Sequence, residues 1–447
     1  VIEFPDQLVK RRFGKIALTV VSAVLGILVF ESFGWWPLGL VAWIPLLAVL
    51  RSATPREGFY LGLLHGFLLF GGTLSWVWSI FGRVSLGLWG ILALFTAFSS
   101  LIVVLVPKRS PVVSALLVAT VWTGVEYFRS EIFKLAFPWI TPGTGLPPNW
   151  LTPIVGVYGV SLLVFFGNSL MPARWKSGAV VLALLGLAVM TFPRSDEPER
   201  VVRVLLVQDE TAIVNKLREA SEPFVNEVDA VVWPEYSLSD FDDDDVAAAL
   251  ALAGNCRVFV ASGMETRNGK MGNTAFTISK DGILGRHIKN HPVHFFSDGI
   301  KGQTADPVET RHGKVGTPVC FDCDHQNVIR KMTANGAEYF LIPSMDAMSW
   351  SERQHEQHGA LFRHRAAENG RWLAVASTSG VTQFIDPRGQ VRARLPLMDE
   401  GTLVGEVGRL ENRTLFQLGG WLIGPIALSV AALVVLWLGW LRISKSS

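Results

Sequence analysis

Apolar residues gather into stretches of membrane-spanning length at both ends of this chain, and that distribution limits the fold before any motif is considered. Segments at about 16–30, 35–50, 58–80, 86–106, 111–128, 152–170 and 178–192 precede a polar stretch, and another runs from about 421 to 441. A helix needs about 20 residues to cross about 30 Å of hydrocarbon, so the shorter segments borrow flanking residues or lie tilted. Of the 16 Trp, only Trp233, Trp350 and Trp372 fall between residues 176 and 420, which marks that part as soluble. The chain therefore reads as a polytopic α-helical membrane domain with an inserted layered α/β domain. About seven transmembrane helices occupy 1–193, the insert occupies 194–412, and a closing helix with a cytoplasmic tail occupies 413–447.

Charge gives the orientation. Counting loops alternately, one side of the membrane receives Lys10–Lys15, Arg51 with Arg56, Lys108 with Arg109, Arg174 with Lys176, and Arg442 with Lys445. The other receives Glu31, Arg83, the Arg129–Lys134 segment and the whole insert. Basic residues in short loops mark the cytoplasmic side. Both termini are thus expected in the cytoplasm, with the insert extracytoplasmic. The first apolar run reads as an uncleaved span; a cleaved signal peptide is the alternative. A net charge of +2 is too small to imply a nucleic-acid partner. Glu126 and His65 lie in or near spans, where ionisable groups are costly. The loop FPWITPGTGLPPNW carries Trp139 and Trp150 on the side of the insert, as interfacial anchors or as a candidate lipid entrance.

Within the insert, strand-like runs fall at 201–208, 228–233, 257–263, 273–279, 337–343, 372–377 and 381–386. Helices fit 211–228, 246–254, 324–335 and 353–370, with hairpin turns at SKDG and DPRG. The acidic run Asp242–Asp245 reads as a solvated helix start.

Three positions carry chemistry. Glu235 follows VDAVVWP, Lys289 follows GILGRHI, and Cys320 ends the apolar run VGTPV, expected to be a buried strand. A base, a cation and a thiol form a minimal kit for acyl transfer through a thioester. The three cysteines, Cys256, Cys320 and Cys323, make no disulfide framework. The reading is one reactive thiol with two bystanders; a Cys320–Cys323 disulfide is the alternative. Cys323 also competes as nucleophile, because a helix N-terminus lowers a thiol pKa. Cys320 is preferred for its buried-type neighbours Val319 and Phe321. Zinc on Cys320, Cys323, His325, His355 and His358 is a weak signal without a second close pair. No metal and no cofactor are expected.

PEYS around Glu235, KNH around Lys289 and VCFD around Cys320 resemble the three signature blocks of the nitrilase, or carbon–nitrogen hydrolase, superfamily. RHRAAENGR is similar to that superfamily's Arg-Ala-x-Glu segment, with Glu368 as its glutamate. With spans on both sides, the chain resembles the apolipoprotein N-acyltransferase family over nearly its whole length; FPW, GVYGVS with Asn168, and SGVTQFIDPRG add to the likeness. That resemblance implies a nitrilase-like fold for the insert and an acyl chain taken from a membrane phospholipid onto Cys320. The chain then passes to the N-terminal amine of a diacylglyceryl-cysteine lipoprotein. Glu235 would be the base and Lys289 the oxyanion cation, with Lys289 also lowering the thiol pKa. Asp298, Asp322, Glu368, Trp233 and Asn273 would support the site or handle substrate, in a monomer integral to the bacterial cytoplasmic membrane. Three segments depart from the family. HPVHFFSDG stands where Pro-Phe-Gly-Glu is usual, leaving Asp298 as the nearest acid. Asp322 replaces a glutamate, and SMDAMSW replaces Asn-Asp-x-Trp. These leave two alternatives open: acylation of another amine, or a membrane-tethered amidase.

Overall fold

A computed structural model describes residues 11–31, 34–107, 109–195, 197–238, 249–252 and 258–446. Lys10, Lys108, the Asp242–Asp245 run, Cys256 and most of the expected helix 246–254 lie outside the described residues, as do the side chains of Arg442 and Lys445. The chain divides into two compact units: Val1–Phe192 with Gly419–Ser447, and Pro193–Leu418.

The first unit is helical. Among the described residues, five helices are long and apolar enough to cross a membrane: Arg12–Val29, Val84–Leu105, Pro111–Ile132, Thr152–Leu170 and Gly420–Leu441. Shorter apolar helices cover Trp36–Leu50 and Trp175–Met190. Another helix, Pro55–Thr73, starts with a capping box between Thr54 and Glu57. It packs on Val84–Leu105 through Gly58, Gly62 and Gly66, one per turn. A Cβ at Gly62 would stand 2.7 Å from the Thr96 carbonyl, and one at Gly66 2.7 Å from the Ala93 Cα. Apolar burial gives helices little reason to associate in lipid, so backbones brought close by small residues supply the contact. Arg129 pins the proline-rich loop by donating to the carbonyls of Phe137 (2.9 Å) and Trp139 (3.1 Å). Trp139 is buried against Trp76 and Phe137. Trp150 is exposed, and its indole donates to Thr191. His65 is buried on Ser22.

The second unit is a sandwich of two six-stranded sheets with helices outside. The first sheet runs β12-β1-β2-β3-β4-β5 and the second β11-β10-β9-β8-β7-β6. In sequence order these are β1 Val201–Gln208, β2 Ala230–Val232, β3 Val258–Arg267, β4 Lys270–Ser279, β5 Gly282–Ile288, β6 Val308–Thr310, β7 Gly313–Gly316, β8 Tyr339–Ser344, β9 Leu373–Ser377, β10 Gln383–Ile385, β11 Val391–Arg394 and β12 Gly401–Gly408. Side chains alternate across each strand. Val202, Val204 and Leu206 enter the core between the sheets with Tyr339, Leu341 and Phe384. Leu205 and Val207 face a second core with Leu217 of the helix Val214–Ser221. The other sheet's outer face packs on the helices Gln326–Ala334 and Glu352–Asn369 through Phe340, Ile342, Val328 and Phe362. With both faces covered, the strands read as continuous apolar runs.

Several expectations need correction. The strand expected to carry Cys320 ends at Gly316. Pro318 has no amide N–H to continue a ladder, so Val319 and Cys320 lie beyond the sheet. The helix expected over 211–228 is only Val214–Ser221, because Pro223 has no amide N–H to continue the helical hydrogen bonds past Glu222. β6 is short, and β12 is interrupted by glycine, so neither shows a strand pattern in sequence. β12 nevertheless pairs along all of β1, with Val201 opposite Gly408 and Gln208 opposite Gly401. Its Gly405 is needed where the Phe384 ring crosses, since a Cβ there would come within 2.6 Å of the ring.

Candidate active site

Glu235, Lys289 and Cys320 follow the carboxyl ends of β2, β5 and β7, two from one sheet and one from the other. The Glu235 amide donates to the Ser344 carbonyl at the end of β8, which ties the sheets together beside the site. The Lys289 amide donates to the Asn273 carbonyl, and the Lys289 carbonyl accepts from Gly302. Cys320 begins a single 3-10 turn, Cys320–Cys323, with φ of +46°. Tyr236, next to Glu235, is also left-handed at +64°. Such backbone costs about 1–3 kcal/mol at a non-glycine residue and persists where its surroundings enforce it. Here it turns the thiol out of the strand direction and toward the carboxylate.

The three side chains converge. Lys289 Nζ lies 2.8 Å from Glu235 Oε1 and 2.8 Å from Asp298 Oδ2, and all three residues are buried. Asn273 uses both amide protons as a bridge, donating to Glu235 Oε1 and Asp298 Oδ1 at 2.7 Å each. The Tyr236 hydroxyl and the Val293 amide complete the Asp298 shell. The Cys320 thiol reaches the Met345 carbonyl at 3.6 Å, and it lies close enough to Glu235 and Lys289 for both to act on its charge. An ammonium has three N–H bonds; with two given to carboxylates, one remains for a substrate oxyanion.

Burial raises the Glu235 pKa above the ordinary carboxylate value, with Lys289 opposing and Asp298 reinforcing the shift. Burial alone would lower the Lys289 pKa, but Glu235, Cys320 and Asp298 together hold it well above the usual lysine value. The Cys320 pKa is pushed well up by burial and then by Glu235, against a downward pull from Lys289. The expected lowering by lysine is therefore present in sign and outweighed, so the resting thiol is protonated. A base must remove its proton as the sulfur attacks.

Asp322 joins the pieces rather than reacting. Its carboxylate accepts from the amides of Asn290 and His291 (2.8 Å each) and of Val319 (3.2 Å), and pairs with His287 Nε2 at 2.8 Å. Burial opposes its charge, but the His287 hydrogen bond and its neighbours hold its pKa below the ordinary value. One side chain thus fixes the lysine loop to the nucleophile turn. Glu368 lies buried beside Arg365 at 3.2 Å. Trp233 packs edge-on against Phe259 in the core and donates to Ser221. Cys323 is buried between its sheet and the outer helices, in contact with the core rather than Glu235. Cys320 and Cys323 are both free thiols. Among the described residues no group of three or more His, Cys, Asp or Glu side chains is arranged to hold a metal ion. Sequence reasoning missed His358, read only as a weak metal candidate in HEQH; it pairs with Asp324 and Asp346. Tyr236 was visible in PEYS without a role.

Residues 22–170 match the family described as apolipoprotein N-acyltransferase N-terminal domain, and residues 201–412 match carbon-nitrogen hydrolase. The chain is 27% identical to an apolipoprotein N-acyltransferase of Geobacter metallireducens, covering 93% of this chain and 94% of that one. It is 26% identical to the Pseudomonas aeruginosa protein of the same name, covering 94% of each. Among solved structures it is similar to a carbon-nitrogen hydrolase from Helicobacter pylori G27, with TM-score 0.42 and 21% identity over 46% of this chain and 89% of that one. Saccharomyces cerevisiae Nit3, of the nitrilase superfamily, gives TM-score 0.41 and 21% identity over 48% and 93%.

Proposed function

Since the chain belongs to the apolipoprotein N-acyltransferase family, the multi-pass bacterial membrane branch of the carbon–nitrogen hydrolases, we propose that it moves a fatty acyl chain from a phospholipid to an amine through a thioester on Cys320. The acceptor is the N-terminal amine of a diacylglyceryl-cysteine lipoprotein. The observation that carries this reading is the meeting of Glu235, Lys289 and Cys320 in a chain that also has membrane-spanning helices.

The steps follow from the contacts. Glu235 takes the thiol proton as the sulfur attacks the ester carbonyl. Lys289 receives the negative oxygen of the tetrahedral intermediate. Collapse breaks the ester bond, and Glu235 returns the proton to the departing lyso-phospholipid oxygen. The acceptor amine then attacks the thioester carbonyl and gives a proton to Glu235. Expulsion of the sulfur leaves an amide, and that proton goes back to Cys320. No cofactor enters this balance. Asn273 and Asp298 hold Lys289 and Glu235 in position throughout. Mass measurement of the intact protein after mixing with phospholipid tests the reading. A thioester increment is expected, discharged by adding a diacylglyceryl lipopeptide. An increment that discharges in buffer alone points to hydrolysis, and no increment overturns the covalent route.

The catalytic unit is proposed to face away from the cytoplasm, on the strength of the basic residues at Lys10–Lys15, Arg51, Arg56, Arg174 and Lys176. Asp281→Cys, in the exposed β4–β5 turn, is expected to react with a membrane-impermeant maleimide on intact cells stripped of any outer barrier. Labelling only after lysis reverses the orientation.

A further inference from the structure

We propose that His358 is a positioning residue for the nucleophile: it clamps the turn that carries Cys320 to the loop whose Met345 carbonyl meets the thiol. The inference rests on Cys320 being the nucleophile of the proposed reaction. His358 lies on the helix Glu352–Asn369, buried between two acids from different loops. Its Nδ1 is 2.8 Å from Asp346 Oδ1, and its Nε2 is 3.2 Å from Asp324 Oδ1. A carboxylate within 3.2 Å of each ring nitrogen favours the doubly protonated, cationic imidazole over the neutral one. Burial resists that charge, but Asp346 and Asp324 outweigh it and hold the His358 pKa well above the ordinary value.

Both ends of the clamp lead to the thiol. Asp324 directly follows the 3-10 turn, and its amide donates to the Phe321 carbonyl at 3.2 Å. Asp346 directly follows Met345, the residue whose carbonyl accepts from Cys320. The Asp346 backbone is held in turn: its amide donates to Thr378 at 3.2 Å, and its carbonyl accepts from Thr378 at 2.9 Å and Ser379 at 2.5 Å. Gln354 adds a 2.6 Å bond to the Asp346 carboxylate. β7 stops at Gly316, so Cys320 has no ladder to hold it; its placement, within the tolerance acyl transfer needs, falls to side chains.

The titratable groups around His358 are Asp324 from the turn, Asp346 from the loop after β8, and His355 from its own helix, which also faces Asp346. Asp346 in turn raises the Cys320 pKa. Losing the imidazolium therefore both loosens the thiol and leaves Asp346 uncompensated beside it. A residue that only supports the fold would do neither.

The test uses full-length protein in detergent, with Cys320 alkylation by iodoacetamide read on its own peptide by mass, and labelled acyl-adduct formation read against phospholipid concentration. His358→Gln is expected to move the alkylation midpoint up by about half a pH unit or more. It should also slow adduct formation about tenfold while the half-saturating phospholipid concentration stays within about twofold. Both readouts unchanged in folded protein overturn the proposal. If His358→Gln does not fold, Asp324→Asn decides, because it keeps the His358–Asp346 pair. Adduct formation slowed about threefold at unchanged half-saturation supports the clamp, and an unchanged rate overturns it. If the parent protein forms no adduct, the acyl-transfer reading fails separately. The alkylation midpoints of the two variants then decide the clamp alone: a shift in either supports it, and no shift in both overturns it.

Discussion

Cys320→Ala is expected to abolish the hydroxylamine-sensitive acyl adduct, while Cys323→Ala keeps most of the activity. The two thiols are three residues apart and differ in what they touch. Cys320 reaches the Met345 carbonyl and sits within the electrostatic reach of Glu235 and Lys289. Cys323 is sealed among Val328, Ile329 and Phe340. Both thiols are pushed well above the ordinary cysteine value, chiefly by burial, so thiolate population does not separate them. The neighbouring acids do: Glu235 acts on Cys320 beside Lys289, whereas the carboxylates nearest Cys323, Asp322 and Asp324, are already engaged by His287 and His358. Removing one buried sulfur costs roughly 1 kcal/mol of stability, little enough for the variant to fold. The measurement is a denaturing gel of each variant after incubation with labelled phospholipid. An adduct that persists in Cys320→Ala and vanishes in Cys323→Ala overturns the assignment.

Lys289→Met should be the next most damaging change, with activity reduced by two to three orders of magnitude or more. Loss of one oxyanion donor in a hydrolase costs about 3–4 kcal/mol, which gives the lower end. A second loss adds to it here. Lys289 is the cation between Glu235 and Asp298, both buried. Without it a proton is taken up on that pair, and Glu235 is driven further toward the neutral acid, which cannot accept a thiol proton. Some destabilisation accompanies this, so the rate is read on protein whose melting transition remains cooperative. A methionine variant that keeps its rate would move the oxyanion role to another group, with Arg286 and His287 the neighbours to examine.

The unequal legibility of this chain follows from where its information is local. Membrane segments show in composition alone because lipid demands length and apolarity of every span. The three reactive residues show because each follows a strand-like run and sits in a block with a known likeness. Support around them depends on distant partners. Asp322 can be named from its block, but its hold on Asn290 and His291 appears only when the β5 and β7 ends come together. Asp298, the nearest acid in HPVHFFSDG, does reach Lys289. His358 is hidden for the same reason, since its two acids lie 34 and 12 residues away in sequence. The strand expected at Val319 failed locally: its alternation is real, but Pro318 prevents the pairing.

The pairing of β1 with β12 has a further consequence. Val201 lies opposite Gly408, so the sandwich starts and finishes at one edge of one sheet, its first and last strands side by side. A fold whose ends meet in this way is a portable cassette: it can be spliced into a loop of a host protein without stretching the host or breaking the cassette's own sheets. That accounts for how a complete αββα enzyme comes to be carried between two apolar segments of one polypeptide.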